Sequence, residues 1–266
     1  MIDTIEVVIN KKTYTYNKNI TLQEIYKEHQ EDHRYPIILA RVNNRLRELS
    51  YKLTENCEIE FLDLTSPEGN RVHICGLTLV MLYAVKKLYG YQANIIVQHS
   101  ADKGLYFQTS FRLTEEKLMQ IKEEMKEIIA KDMPITKLTI DRLEAMKYFE
   151  DIGDDSKANV LKYNTDNYIT LYRLGNFYDY FYHLMPTSTS KLKDFDLNYI
   201  KSNGFALRFP TVYIPDKIKK YEHHAMLFEA FSEFKEWAKL MKVQNSSDLN
   251  RVVSTGKIND LIKIDE

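Results

Sequence analysis

The first 65 positions alternate between apolar and polar residues as β-strands require. Ile5, Val7 and Ile9 are separated by polar residues, and residues 13–16 are β-branched or aromatic. Thr21 is predicted to cap a helix, because Glu24 three residues later completes a capping box. Further strands are predicted at residues 37–42 and 58–62. One helix held across a mixed sheet of this size predicts a ubiquitin-like β-grasp arrangement.

The rest of the chain mixes helical and strand periodicities and predicts an α+β protein. A polar breaker at residues 66–70 is the predicted domain boundary. Apolar residues at helical spacing predict a helix at 77–88, a helix at 118–129 that Thr114 caps, and a tail helix at 227–241. Further strands are predicted at 94–98, 105–109, 168–174 and 205–209, a short helix capped by Asp141, and shorter helices at 248–254 and 257–264. The predicted domains are 1–66, a β-grasp domain; 67–220, an α+β domain; and 221–266, a helical extension.

Charge and composition restrict the function without naming it. Lys and Arg number 37 against 38 Asp and Glu, a net charge of -1, which argues against a strong non-specific nucleic-acid binder. No apolar run approaches the roughly 20 residues that cross a bilayer, and the N-terminus lacks signal-peptide features. Cys57 and Cys75 have no metal-type spacing. These features predict a cytoplasmic protein without a membrane partner.

The sequence predicts neither a catalytic nor a metal site. Its 8 glycines form no phosphate-binding loop, and Gly256-Lys257 is followed by Ile258. His29 and His33 have metal-ligand spacing but no adjoining Glu, so surface histidines are the preferred interpretation. Three further groups are interpreted as packed or solvent-exposed residues rather than as catalytic or metal-binding ones. They are His73-x-Cys75, His223-His224 and residues 188–190. No cofactor is therefore predicted for this chain.

Aromatic residues are concentrated at positions 177–183. Tyr178, Tyr180, Phe181 and Tyr182 lie between Phe177 and His183. Such residues stack nucleobases in some proteins and fill the core beside a strand in others, and core filling is the preferred interpretation.

Two parts of the chain resemble the front of threonyl-tRNA synthetases. Residues 1–64 resemble their TGS domain, and residues 76–210 are similar to the editing domain that follows it. The matching stretches are AVKKLY (84–89), KGLY (103–106), LTEE (113–116) and LYRLGNF (171–177), with Ser188-Thr189 and Lys191 in the loop after the last motif. The resemblance implies a TGS β-grasp domain at 1–66 and an editing-like domain at 67–220.

The editing motifs are replaced in this sequence. In the register of the resemblance, a His-x-x-x-His pair falls at Leu79 and Tyr83, and a later Cys and His fall at Phe181 and Met185. Apolar and aromatic groups cannot activate water, so the resemblance implies a degenerate pocket that packs or stacks. The implied pocket residues are Leu79, Tyr83, His99, Asp179, Phe181, Tyr182, His183 and Met185.

One bacterial subgroup is more similar still. In it, a TGS domain and an inactive editing-like domain precede a uridine-kinase-like P-loop domain, and the similar segments here are DYFY (179–182), FALRFP (205–210), FKEW (234–237) and SDLN (247–250). This resemblance implies an accessory region of a nucleoside kinase. The kinase domain, with its ATP and Mg²⁺, would be a partner in cis outside this chain. A nucleoside or RNA ligand and homo-oligomer contacts through the tail helix are further predictions.

Two alternatives remain open at this point. The first is a hydrolase that clears mischarged tRNA, with His99, Asp179 or His183 as a replacement base. The second is an RNA-binding module that uses the TGS face together with Lys217, Lys219 and Lys220.

Overall fold

The computed structural model describes residues 3–101, 104–200, 203–220, 233, 236–243 and 246–256. The chain forms two compact units: Met1–Lys137 with Tyr172–Lys220, and Leu138–Leu171 with Tyr221–Glu266. Helices and β-sheets occur together, which confirms the predicted α+β class. The predicted domain boundaries at 66 and 220 remain predictions.

The N-terminal part of the first unit is a five-stranded sheet with one helix. Its elements are β1 (Thr4–Ile9), β2 (Lys12–Asn17), α1 (Leu22–Glu28), β3 (Leu39–Val42), β4 (Arg45–Glu48) and β5 (Cys57–Leu62). The strand order is β2-β1-β5-β3-β4, with β1 and β5 parallel and the other pairs antiparallel. Asn43 and Asn44 link β3 to β4 with φ of 45° and 63°, as a tight two-residue hairpin requires. Leu22, Ile25 and Tyr26 of α1 are buried in the core beneath the sheet.

The predicted capping box at the start of α1 is confirmed. The Thr21 hydroxyl accepts from the Glu24 backbone N–H at 3.2 Å, and the Glu24 carboxylate accepts from the Thr21 N–H at 2.8 Å. These bonds satisfy backbone donors that the first turn leaves without partners.

A long central helix, α2 (Pro67–Tyr89), follows directly after β5. The breaker predicted at residues 66–70 is in fact its first turn: the Ser66 hydroxyl accepts from the Gly69 N–H at 3.0 Å, and Pro67 opens the helix. Proline suits that place because its missing N–H would have had no helical partner. The polar composition therefore marks an N-cap rather than a linker.

Helix α2 also corrects the expectation about apolar length. Within the part of the chain that the structure describes, it is the one helix long and apolar enough to cross a membrane, with a mean hydropathy of 1.3 over 18 residues. That window is 61% buried inside the protein, as in a core helix.

The remaining elements of the chain are β6 (Ile95–Ala101), β7 (Gly104–Thr109), α3 (Glu115–Ala130), β8 (Ile135–Asp141), α4 (Arg142–Asp151), α5 (Asp155–Lys162), β9 (Tyr168–Leu174), β10 (Phe177–Tyr180), β11 (Asp196–Ile200), β12 (Gly204–Arg208) and α6 (Ser246–Ser254). One sheet has the order β11-β12-β7-β6 and another the order β10-β9-β8. The caps predicted at Thr114 and Asp141 are confirmed, because each side chain accepts from a first-turn N–H. Strand β11 and helix α5 were not predicted.

The second unit is largely helical where it is described. Phe149 of α4 and Leu161 of α5 are fully buried. Helix α6 confirms the helix predicted at 248–254. Of the tail helix predicted at 227–241, the apolar positions Leu227, Phe231 and Phe234 lie outside the residues whose side chains are described, as do His223-His224 and the whole helix predicted at 257–264.

Candidate functional site

The four editing-register positions lie in one apolar cluster. Leu79 and Tyr83 are one turn apart on α2, so they share a face of that helix. Leu79 and Met185 are buried, and Tyr83 and Phe181 are half-buried against the same core. All four side chains therefore belong to, or pack against, the same hydrophobic cluster. None of the four has a group that takes up a proton at neutral pH.

Tyr83 is held by close aromatic packing. Its ring stacks on Phe177 with centroids 6.3 Å apart and an interplanar angle of 18°. Gly175 adopts φ +61°, and a Cβ built there would lie 2.6 Å from the Tyr83 hydroxyl oxygen. A side chain at position 175 would therefore displace Tyr83, and glycine also relieves the backbone strain.

The other four predicted pocket residues lie in different surroundings. His99 is on β6, with its ring 4.9 Å from that of Tyr106. Asp179 is buried, and its Oδ1 accepts from the Tyr180 N–H at 2.7 Å. Tyr182 is 77% exposed and His183 is also exposed. Ligand binding by these eight residues stays a prediction.

A small cavity of about 260 Å³ lies beside Met185 and was not predicted from the sequence. Its lining residues are Glu48, Ser50, Ile135, Thr136, Lys137, Tyr172, Met185, Pro186 and Thr187. Glu48 and Ser50 meet residues more than 80 positions later in the chain, so no local pattern could indicate this cavity.

Glu48 organises the polar side of this cavity. Its Oε1 accepts from the Tyr172 hydroxyl and, at 3.2 Å, from the Met185 N–H. Its Oε2 lies 3.3 Å from Lys137 Nζ, which also sits 5.6 Å from the centroid of the Tyr172 ring. Burial first, and then the Glu48 carboxylate, raise the pKa of Tyr172 far above its usual range. The phenol is therefore a fixed donor rather than a base, and the ammonium and carboxylate are already paired.

His73 and Cys75 have the properties of core residues. His73 is fully buried, its Nε2 lies 3.0 Å from the Lys193 carbonyl oxygen, and burial lowers its pKa to about 4. Burial raises the pKa of Cys75 to about 11, so the reactive thiolate is scarce at neutral pH. The packing interpretation of His73-x-Cys75 fits both observations.

His29 and His33 do not share a helical face, because α1 ends at Glu28. His29 Nε2 lies 3.2 Å from the Tyr16 hydroxyl, and its Nδ1 lies 3.6 Å from Asp32 Oδ2. Among the described residues, no group of three or more His, Cys, Asp or Glu side chains is arranged to hold a metal ion.

The lysine-rich segment is anchored by an arginine. Arg208 on β12 is buried, and its Nη2 donates to the Lys219 carbonyl at 2.7 Å. Lys217 and Lys220 are exposed, whereas Lys219 is half-buried. The segment thus has a fixed backbone and at least two cations that face solvent.

Comparison with known proteins points to one class of enzyme. No family model matches the sequence. A threonine–tRNA ligase of Symbiobacterium thermophilum is 30% identical over 185 residues, 68% of this chain and 28% of the relative. A second, from Clostridium kluyveri, is 26% identical over 235 residues, 85% of this chain and 34% of the relative. A third, from Syntrophotalea carbinolica, is 25% identical over 191 residues, 68% of this chain and 30% of the relative.

The matched region therefore spans between 28% and 34% of each relative's length. All three relatives are ligases, so they favour the tRNA-related alternatives over the nucleoside-kinase prediction. The chain is homologous to threonine–tRNA ligases over 68–85% of its own length.

Proposed function

We propose that this chain is a tRNA-binding module related to threonyl-tRNA synthetases that does not hydrolyse aminoacyl-tRNA. The observation that carries the proposal is the apolar cluster at the four editing-register positions. Ester hydrolysis needs a group that takes a proton from water, and Leu79, Tyr83, Phe181 and Met185 are a packed core instead. The homology to threonine–tRNA ligases supports tRNA as the ligand.

A TGS-like β-grasp domain at residues 1–66 is part of the proposal. The strand order β2-β1-β5-β3-β4, with its central pair parallel and α1 packed on one face, supports it. An editing-like domain at 67–220, a helical extension at 221–266 and a cytoplasmic location complete the proposed organisation.

Lys217 and Lys220 are the proposed phosphate contacts, with the half-buried Lys219 between them. Their ammonium groups would displace counterions from RNA, so binding should weaken as salt rises. The net charge of -1 for the whole chain implies modest affinity that depends on this local patch.

A mobility-shift titration with total tRNA at low and moderate salt tests the proposal. The purified chain should bind, and K217E/K220E should weaken binding several-fold and flatten its salt dependence. K126E/K131E is a matched control, since it reverses two exposed lysines of α3 and its C-cap. An absence of binding by the wild-type chain at low salt would contradict the proposal.

Hydrolysis is tested separately with seryl-tRNA. We expect the wild-type chain to leave the ester intact at the rate of buffer alone. Deacylation that is lost in His183→Ala or Asp179→Asn would establish the hydrolase alternative instead. The link to a nucleoside kinase, with its ATP and Mg²⁺, remains a prediction that the relatives above do not support. The homo-oligomer and nucleoside-ligand predictions also remain untested.

A further inference from the structure

We propose that Tyr178, Tyr180 and Tyr182, together with Arg173, form a surface on which unpaired RNA bases stack. We call these four residues the tyrosine stripe. The inference rests on the proposed tRNA-binding function and assigns single-stranded nucleotides to a surface that the editing register does not include.

The burial pattern of β10 separates the aromatic residues into two sets. Phe177 and Asp179 are buried, whereas Tyr178 and Tyr180 on the opposite face of the strand are half-buried. Side chains two residues apart share a face, so these two tyrosines lie side by side. The sequence alone left core filling and base stacking as alternatives, and this alternation assigns Phe177 to the core.

Tyr182 extends the stripe beyond the end of β10. Its ring centroid is 4.9 Å from that of Tyr180, with the planes at 65°. It is 77% exposed, although the preceding residue, Phe181, packs against the core. The Tyr182 ring is therefore supported on one side by Tyr180 and open on much of the rest.

Arg173 places a cation at the other end of the stripe. Its side chain is exposed, its Nε donates to the Gly175 carbonyl at 2.8 Å, and its guanidinium carbon lies 5.8 Å from the Tyr178 ring centroid. The Nε bond and the ring contact orient the group, and the exposed side chain supplies a cation that could bind a phosphate.

The chemistry of the stripe suits single-stranded nucleic acid. Aromatic faces accept any base, stacking contributes about 1–3 kcal/mol per base, and an adjacent arginine neutralises the backbone. Duplex RNA keeps its bases stacked internally, so it offers no free face to a tyrosine. We therefore expect unpaired bases to bind here in preference to duplex.

The test uses the full chain and a labelled oligouridine of about 12 nucleotides, a length within the usual footprint of such sites. Tyr182→Ala should lower affinity about 5- to 150-fold in fluorescence anisotropy, whereas Tyr182→Phe should retain most of it. Arg173→Ala should weaken binding and reduce the salt slope by about one. Tyr168→Ala is the matched control, since Tyr168 is 69% exposed and lies outside the stripe.

The outcomes separate this inference from the proposed function. If the wild-type chain binds tRNA and the Tyr182→Ala variant binds oligouridine with wild-type affinity, the tyrosine stripe is not the stacking surface. If tRNA binds but oligouridine does not, the inference also fails while the proposed function stands. If the wild-type chain binds neither RNA, the proposed function fails first. Equal affinity for a blunt-ended RNA duplex, which has no unpaired bases, would also overturn the inference.

Discussion

The Glu48 carboxylate accepts a hydrogen bond from the Tyr172 hydroxyl, which joins residues 124 positions apart in the chain. The same oxygen accepts from the Met185 N–H, and Lys137 pairs with the other oxygen. This half-buried carboxylate at the end of β4 therefore contacts three later segments of the same unit.

Glu48→Ala should lower the free energy of unfolding by about 2–4 kcal/mol, because it leaves a buried hydroxyl and a buried N–H without an acceptor. Tyr172→Phe should cost about 1 kcal/mol, since it removes only one donor. Urea denaturation measures both effects. The control is Glu58→Ala, an exposed glutamate on β5 of the same sheet. Equal stability of Glu48→Ala and this control would show that the Glu48 bonds contribute nothing.

Gly175→Ala should destabilise the protein by more than Gly256→Ala does. Both glycines have positive φ, +61° and +70°, so each alanine incurs strain of about 1 kcal/mol. At Gly256 a new Cβ meets nothing within 4 Å, whereas at Gly175 it meets the Tyr83 hydroxyl.

Tyr83→Phe removes that hydroxyl and tests the contact directly. The double variant Gly175→Ala with Tyr83→Phe should lose less stability than the sum of the two single changes. Strict additivity in thermal unfolding would mean that the alanine is accommodated without pressing on Tyr83.

Stability should fall as pH drops from 6.5 towards 4, in part because of His73. Its pKa is about 4 in the folded protein against an ordinary 6.5, so the unfolded chain binds the proton first. The stabilising contribution is complete above pH 6.5 and is lost as pH falls through the folded pKa, a change of about 3 kcal/mol.

His73→Gln should flatten the stability profile between pH 4 and 6.5, because glutamine does not titrate. The matched control is His183→Gln, which makes the same change at an exposed histidine. Denaturant unfolding at a series of pH values compares the two. A profile for His73→Gln that runs parallel to wild type would show that His73 is not the group responsible.

Thr21→Ala should destabilise α1 by about 1 kcal/mol, because the hydroxyl that caps Glu24 N–H is lost. Hydrogen bonds from the Thr21 hydroxyl and then the Thr21 N–H hold the pKa of Glu24 below its ordinary 4.5. The ionised Glu24 carboxylate therefore stabilises the folded state above pH 4.5. This stabilisation is lost as the pH falls through the lowered pKa that Glu24 has in the folded protein.

The measurement is the difference in unfolding free energy between Thr21→Ala and wild type at neutral and acid pH, which should shrink in acid. Thr54→Ala replaces an exposed threonine outside the helices and strands and should have little effect. If Thr21→Ala lowers the free energy of unfolding by the same amount at neutral and acid pH, the stabilising effect of the cap does not depend on the charge of Glu24.

Sequence patterns predicted correctly those features that depend on residues close together in the chain. The capping box at Thr21, the cap at Asp141 and the strand alternation of Ile5, Val7 and Ile9 all depend on residues within a few positions of each other, so the sequence predicted them correctly. The segment 66–70, predicted as a polar breaker, forms the start of α2, because an N-cap serine followed by proline has the composition of a breaker. The domain boundary placed there stays a prediction. Strand β11 and helix α5 were missed outright.

The sequence by itself determined the α+β class, most element positions and the apolar or aromatic character of positions 79, 83, 181 and 185. Only the tertiary structure decided which side chains meet. The Glu48 cavity and the packing of Tyr83 against Gly175 join segments far apart in the chain. The orientation of the tyrosine stripe depends on which face of β10 packs on the core. The physical reason is that hydrogen bonds and periodicities within an element repeat over a few residues, whereas burial is set by whatever the rest of the chain brings against it.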